Sequence, residues 1–215
     1  DSSEYPLQRL QIFYRNPKPQ NLIVDLKIKE GKFRIKSAFA RRFLSPEYDF
    51  LILEWLTLQN PLQDFTPERP ALPGQSHPGL SLGKKVLDIF IYLARLTRKA
   101  GLLASPAYYH NALLFSRYFR FINPEKEGEV LAIRKSLADV SFKQMAWIVH
   151  LNCLRWKDNK PYEWKAEEEV YPLDRTLKRY FDSKAYKEKV KKSEKKFSFI
   201  IDWECYRKKI KKSDQ

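Results

Sequence analysis

The chain is poor in the residues that build metal centres and covalent cross-links. Its 215 residues include two cysteines, one methionine and three histidines. Cys153 and Cys205 fit a reducing compartment better than a disulfide-stapled scaffold. The histidines are dispersed at positions 77, 110 and 150, so the ligand spacing of a structural zinc site is missing and no metal is expected. No apolar run approaches the ~20 residues needed to cross a bilayer. No charged segment followed by an apolar one stands at the start, so a secretory signal is not expected and the chain reads as cytoplasmic. Internal repeats are absent as well.

Aromatic residues and positive charge are what the chain has in quantity. Five Trp, twelve Tyr and fourteen Phe within a 43% hydrophobic composition are enough to bury a substantial core. Length points to one domain with an appendage. The net charge of +15 is compatible with nucleic acid, an acidic membrane or an anionic cofactor. Much of it lies in the Lys-rich stretch from Lys184 onward, where Arg207 is the one arginine. Lysine in place of arginine favours a solvated helical face over bidentate phosphate or base recognition. Nucleic-acid binding through this tail is therefore an alternative and not the first reading.

The first third alternates apolar and polar residues. Residues 7–16 and 21–36 are expected to be strands, with a hairpin turn at Glu30-Gly31-Lys32. Residues 38–46 read as a helical turn or two, stopped by Ser45-Pro46. Residues 48–59 contain Phe50, Leu51, Ile52 and Leu53, a strand expected to be covered on both faces. The following loop is punctuated by Pro61, Pro67, Pro70, Pro73 and Pro78. A helix is then expected over 82–99, facing its core through Val86, Ile89, Phe90, Leu93, Ala94 and Leu96, with Gly101 as its stop. A short buried strand at 102–104 and a helix over 107–119 follow. Residues 120–136 read as a strand pair around a Pro124–Gly128 turn. Beyond Ser136 a helix capped by Asp139 or Ser141 is expected to run through Cys153. Residues 157–173 read as loop, and the basic end as helix interrupted by a strand-like FSFIIDW.

One segment carries chemistry. Residues 79–83, Gly-Leu-Ser-Leu-Gly, match G-x-S-x-G, yet the Pro-rich residues before them do not form the central strand that a nucleophile elbow requires. A P-loop fails on spacing and on Lys85, which stands where Ser or Thr is needed. What fits is anion binding by the amides of Gly79, Ser81 and Gly83 at a helix N-terminus, with Lys84 or Lys85 adding positive potential. The competing reading is a Gly-rich helix start chosen for turn geometry alone. Glu54, flanked in its strand by Leu53 and Trp55, reads either as an outward-facing strand residue or as a base whose pKa partial burial would raise. His77 and His110 are alternative bases.

This order of elements resembles the core of the GNAT acyltransferases across residues 7–135. Within Gln75-Ser76-His77-Pro78-Gly79-Leu80-Ser81-Leu82-Gly83, Ser81 and Gly83 stand where that family has the G-x-G/A of its pyrophosphate loop. In HNALLFSRYFRF, Asn111 matches the Asn of the family's Asn-x-x-Ala helix. Phe115 occupies the place of the usual Tyr acid, and Tyr118, one turn away, is its expected substitute. The resemblance implies an α/β (α+β) fold with a mixed sheet flanked by helices. It also implies an acyl-CoA-binding core over 1–136 and a basic helical extension over 137–215. Acetyl-CoA or another acyl-CoA would be the co-substrate and an amine the acceptor. Gly79, Leu80, Ser81, Leu82, Gly83, Lys84 and Asn111 would bind it, Glu54 would act as base, and Tyr118 would protonate the thiolate. A non-catalytic binding protein of the same fold is the alternative.

Overall fold

A computed structural model describes residues 7–213 of the chain. Its strands are β1 (Gln8–Phe13), β2 (Leu22–Arg34), β3 (Glu47–Leu58), β4 (Gly101–Ala104), β5 (Arg120–Phe121), β6 (Leu154–Trp156), β7 (Glu169–Pro172) and β8 (Phe199–Ile201). Its α-helices are α1 (Gly83–Leu96), α2 (Tyr109–Phe115), α3 (Pro124–Ser136), α4 (Phe142–His150), α5 (Arg175–Asp182), α6 (Lys184–Lys196) and α7 (Trp203–Ser213). The fold is mixed α and β. Contacts divide it into two compact units. One holds the residues up to Ser105 together with Glu169–Tyr180, and the other holds Pro106–Glu168 and the chain from Phe181 onward. The boundary expected at 136/137 falls inside the second of these.

The first unit is a mixed sheet with strand order β1-β2-β3-β4-β7. The first three strands form an antiparallel meander. β4 then pairs with β3 in parallel, and the chain between them supplies α1 as the crossover that a parallel pair requires. β7 pairs antiparallel with β4. The expected turn at Glu30-Gly31-Lys32 does not form. β2 runs straight through Gly31, paired with Phe50, because the ladder with β3 is continuous from Ile28 to Arg34. Ala40–Arg42 forms a single 3-10 turn. β7 lies within residues expected to be loop. Its Val170 is fully buried, but its partner β4 is remote in sequence and gives it no local signal.

Helix α1 forms where expected, but on a different phase. It buries Leu87, Phe90, Ile91 and Ala94, while Ile89, Tyr92, Leu93 and Leu96 are exposed. Apolar residues lie on two of its faces, so periodicity alone does not choose between them.

In the second unit, Tyr109, Val130, Ile133, Leu137, Ile148, Val149, Leu154 and Phe199 join one apolar cluster. Residues 124–136, expected to form half of a strand pair, are helix α3. Asn123 caps it by accepting from the Glu125 amide, and Pro124 occupies the first turn, where its missing N–H costs nothing. Gly128 sits inside this helix because α6 crosses close by. A Cβ there would meet Ser193 Cβ at 2.6 Å and the Val190 carbonyl oxygen at 2.7 Å. α4 starts at Ser141 with a reciprocal capping box to Gln144. It ends at His150, short of the expected Cys153, because Asn152 takes a left-handed φ of 53° and the chain turns into β6. β6 pairs antiparallel with β8, the strand expected in FSFIIDW. The basic end forms α6 and α7. α6 buries Tyr186, Val190 and Ser193 and turns Lys184, Lys187, Lys191, Lys192, Lys195 and Lys196 to solvent.

Candidate functional site

The carboxyl end of β3 concentrates the unusual geometry of the first unit. β3 and β4 pair only through Leu51–Leu102, Ile52–Leu103 and Leu53–Ala104. β4 then stops at Ala104, whereas β3 continues to Leu58. Among the described residues no strand pairs with β3 beyond Leu53 on that side. The ladder with β2 shifts at the same point. Lys27 faces Trp55 and Ile28 faces Leu53, which leaves Glu54 as the extra residue of a β-bulge. A bulge bends the strand and re-aims the side chain it carries. The result is a pair of parallel strands that parts company at Leu53, where β4 ends and β3 runs on.

The Pro-rich loop returns to this place. Gln59 forms an antiparallel bridge with Gly79. The Asn60 amide donates to the Pro78 carbonyl at 2.7 Å, and the Leu80 amide to the Leu58 carbonyl at 3.3 Å. Residues 60–78 are therefore an excursion. The chain comes back beside the end of β3, and Gly79–Gly83 leads from there into α1. Arg69, within the excursion, donates through Nη2 to the Gly79 carbonyl at 2.9 Å and to the Ser81 hydroxyl at 3.0 Å. Gln75 is engaged inside the loop, its Oε1 accepting from the Leu72 amide.

Helix α1 opens without a cap. Leu82 holds the N-cap position and offers no side-chain acceptor, and the first turn has no acidic residue. Its leading amides have no intrahelical acceptor, and they carry the positive end of the helix dipole. Lys84 and Lys85 are exposed beside them. A Cβ added to Gly83 would meet nothing within 4 Å, so the approach to these amides is open. Ser81 takes a left-handed φ of 59°. Its hydroxyl is held by a guanidinium, which has no acceptor and cannot take a proton. It is thus not set up as a nucleophile, and G-x-S-x-G serves here as a helix start.

The structure places Glu54, Gly79, Leu80, Ser81, Leu82, Gly83 and Lys84 in the first unit. Of the two readings of Glu54, the structure has the outward-facing one. Its side chain is 41% exposed and pairs with Lys29 Nζ at 2.7 Å, because the bulge turns it outward. His77 is half-buried in the loop. Asn111 lies in α2, and Tyr118 in the turn after it, both in the second unit. His110 is buried there to 3% exposure. Its ring stacks on Tyr108 at 5.4 Å, and burial first, with the His150 charge second, lowers its pKa to about 4. It stays neutral over the range where a base is needed, and its Nδ1 has no partner among the described residues. Arg69 and the bulge at Glu54 were not legible in the sequence, since neither the loop's return nor the register slip has a local signature.

Among the described residues no three His, Cys, Asp or Glu are grouped to hold a metal ion, and no helix is long and apolar enough to cross a membrane. The chain matches no family model, no curated protein and no solved structure.

Proposed function

We propose that the parted end of β3 and β4, with the open N-terminus of α1, binds the pantetheine arm and pyrophosphate of an acyl-CoA for transfer of the acyl group to an amine. The observation that carries this reading is the parting itself. β3 has no strand partner on its β4 side between Leu53 and the Leu58 carbonyl, and an extended pantetheine would lie against that stretch as an added strand. The amides that open α1 suit a pyrophosphate, with Lys84, Lys85 and the loop-held Arg69 adding positive charge. GNAT-like chemistry is the finer form of this proposal. In it the amine nitrogen attacks the thioester carbon, the C–S bond breaks and coenzyme A leaves as its thiolate, while Glu54 accepts the amine proton directly or through one water. Asn111 and Tyr118 carry no part of this reading.

Thermal unfolding with and without acetyl-CoA tests it. A ligand at 100 times its Kd stabilises the folded state by about 2.7 kcal/mol, which raises the melting temperature by several degrees. No shift at millimolar acetyl-CoA, with none for free coenzyme A, overturns the reading.

A second reading is polyanion binding through α6, whose lysines point to solvent. It expects a gel shift with nucleic acid that weakens steeply with salt and disappears on removal of residues 184–215. Stability unchanged by acetyl-CoA together with that gel shift would favour it over the first.

A further inference from the structure

Cys153 and Cys205 are far apart in sequence and adjacent in space. Their Sγ atoms stand 2.7 Å apart, about 0.7 Å more than a covalent S–S bond. Both backbones are fixed. Cys153 immediately precedes β6, and its carbonyl accepts from the Asp202 amide at 2.9 Å. Asp202 follows β8 and caps α7, its Oδ1 accepting from the Cys205 amide at 2.9 Å. Arg155 Nη2 pairs with Asp202 Oδ2 at 2.7 Å, and the β6–β8 ladder locks the register next to both thiols. The sulfurs therefore face each other because a strand pair, an ion pair and a helix cap hold them so.

We infer that Cys153 and Cys205 are a thiol–disulfide exchange site, closed to an intrachain disulfide by a low-molecular-weight disulfide and reopened by a dithiol. The two sulfurs have different access. Cys153 is fully buried, and burial first, then its neighbour Cys205, push its pKa up to about 12. Cys205 is partly exposed and lines a shallow hollow with Asp202, Glu204, Lys208 and Lys209. A dissolved disulfide can therefore reach Cys205 and not Cys153. That assigns the order of events. The Cys205 thiolate attacks one sulfur of the small disulfide, breaking its S–S bond, joining one half to Cys205 and releasing the other half as a thiolate. Cys153 then gives its proton to water and attacks the Cys205 sulfur, forming Cys153–Cys205 and releasing the second half. The protein loses two thiol hydrogens, and the small disulfide is reduced to two thiols. The new bond ties the chain just before β6 to the first turn of α7, whose Tyr206 and Ile210 pack on the second unit's core.

The test uses the full chain, purified reduced, and glutathione redox buffers of rising disulfide content. Intact mass is read after acid quenching, with maleimide labelling to count thiols. Expected is the loss of both thiols with no glutathione retained, a cross-linked 153/205 peptide on digestion, a rise in melting temperature and full reversal by dithiothreitol. Cys153→Ala should trap one glutathione on Cys205, and Cys205→Ala should trap almost none on the buried partner. If Cys153→Ala does not fold, the wild-type thiol count and peptide map decide alone. Two thiols retained in the most oxidising buffer would overturn the inference. So would a stable single glutathione adduct on the wild type, or cross-links between chains in place of the 153/205 peptide.

Discussion

Arg69 Nη2 reaches the Gly79 carbonyl and the Ser81 hydroxyl together, at 2.9 and 3.0 Å. One guanidinium thus ties the middle of a Pro-rich excursion to the backbone that opens α1. Both contacts are solvent-exposed, so Arg69→Ala is expected to cost ~1 kcal/mol of stability or less. If the α1 N-terminus holds the proposed pyrophosphate, the larger effect is on that binding, since the change removes a fixed cation and loosens the segment from Gly79 to Gly83. The stabilisation by acetyl-CoA should shrink accordingly, by a tenfold weaker Kd for each ~1.4 kcal/mol lost. Urea unfolding of wild type and variant reads the stability, and calorimetric titration with acetyl-CoA reads the Kd.

Glu54→Gln separates binding from chemistry. The residue is half-exposed and its Lys29 partner equally so, and such surface pairs contribute ~1 kcal/mol at most. The variant should therefore fold and bind acetyl-CoA as the wild type does. If Glu54 accepts the proton of the amine, kcat/KM should drop by roughly a hundredfold or more. Steady-state rates with an amine acceptor across pH 5–9 would measure this, and unchanged turnover removes Glu54 from the reaction.

These residues also mark how far the sequence alone reaches. α1, the strands on either side of it, the Ser141 cap of α4 and β8 are all legible, because each carries a local signal: a period, a capping residue or a β-branched run. The misread parts depend on remote partners. β7 is a strand because β4 accepts it. β2 passes through Gly31 because β3 pairs with it continuously from Ile28 to Arg34. α1 buries Leu87 and Ile91 instead of Ile89 and Leu93 because the sheet, and not the helix, selects the face. The candidate site divides in the same way. The loop from Gly79 to Gly83 stands out by composition, whereas the bulge that turns Glu54 outward is a register slip between two strands.

Gly128→Ala tests the close approach of α3 and α6. Alanine is worth up to about 1 kcal/mol over glycine in a helix interior, so an isolated α3 would gain from the change. In the folded protein its methyl would meet Ser193 Cβ at 2.6 Å and the Val190 carbonyl oxygen at 2.7 Å. Neither is the end of a flexible side chain, so the helices must separate. Overpacking of this kind costs ~1–3 kcal/mol. The net expectation is destabilisation, read as a lower urea midpoint with an unchanged m-value. A midpoint raised by the substitution would mean that α3 and α6 are farther apart than described.

His110 gives the fold an acid limit. Its pKa is lowered from 6.5 to about 4 by burial first and the His150 charge second, and its Nδ1 has no partner among the described residues. The faces around it are Tyr108, stacked on its ring, and His150, which also packs against Tyr108. Below pH 6.5 the unfolded chain takes up a proton at this residue, while the folded chain resists it until about pH 4. Protons therefore favour unfolding across that window. The contribution is complete above pH 6.5 and is lost as pH falls towards 4, by about 3 kcal/mol at most. His150, lowered by burial as well, adds to the same slope. Urea unfolding of wild type and His110→Phe between pH 4 and 7.5 should show the wild type losing stability faster on the acid side. Parallel curves would mean that His110 takes up its proton as readily in the folded chain as in the unfolded one.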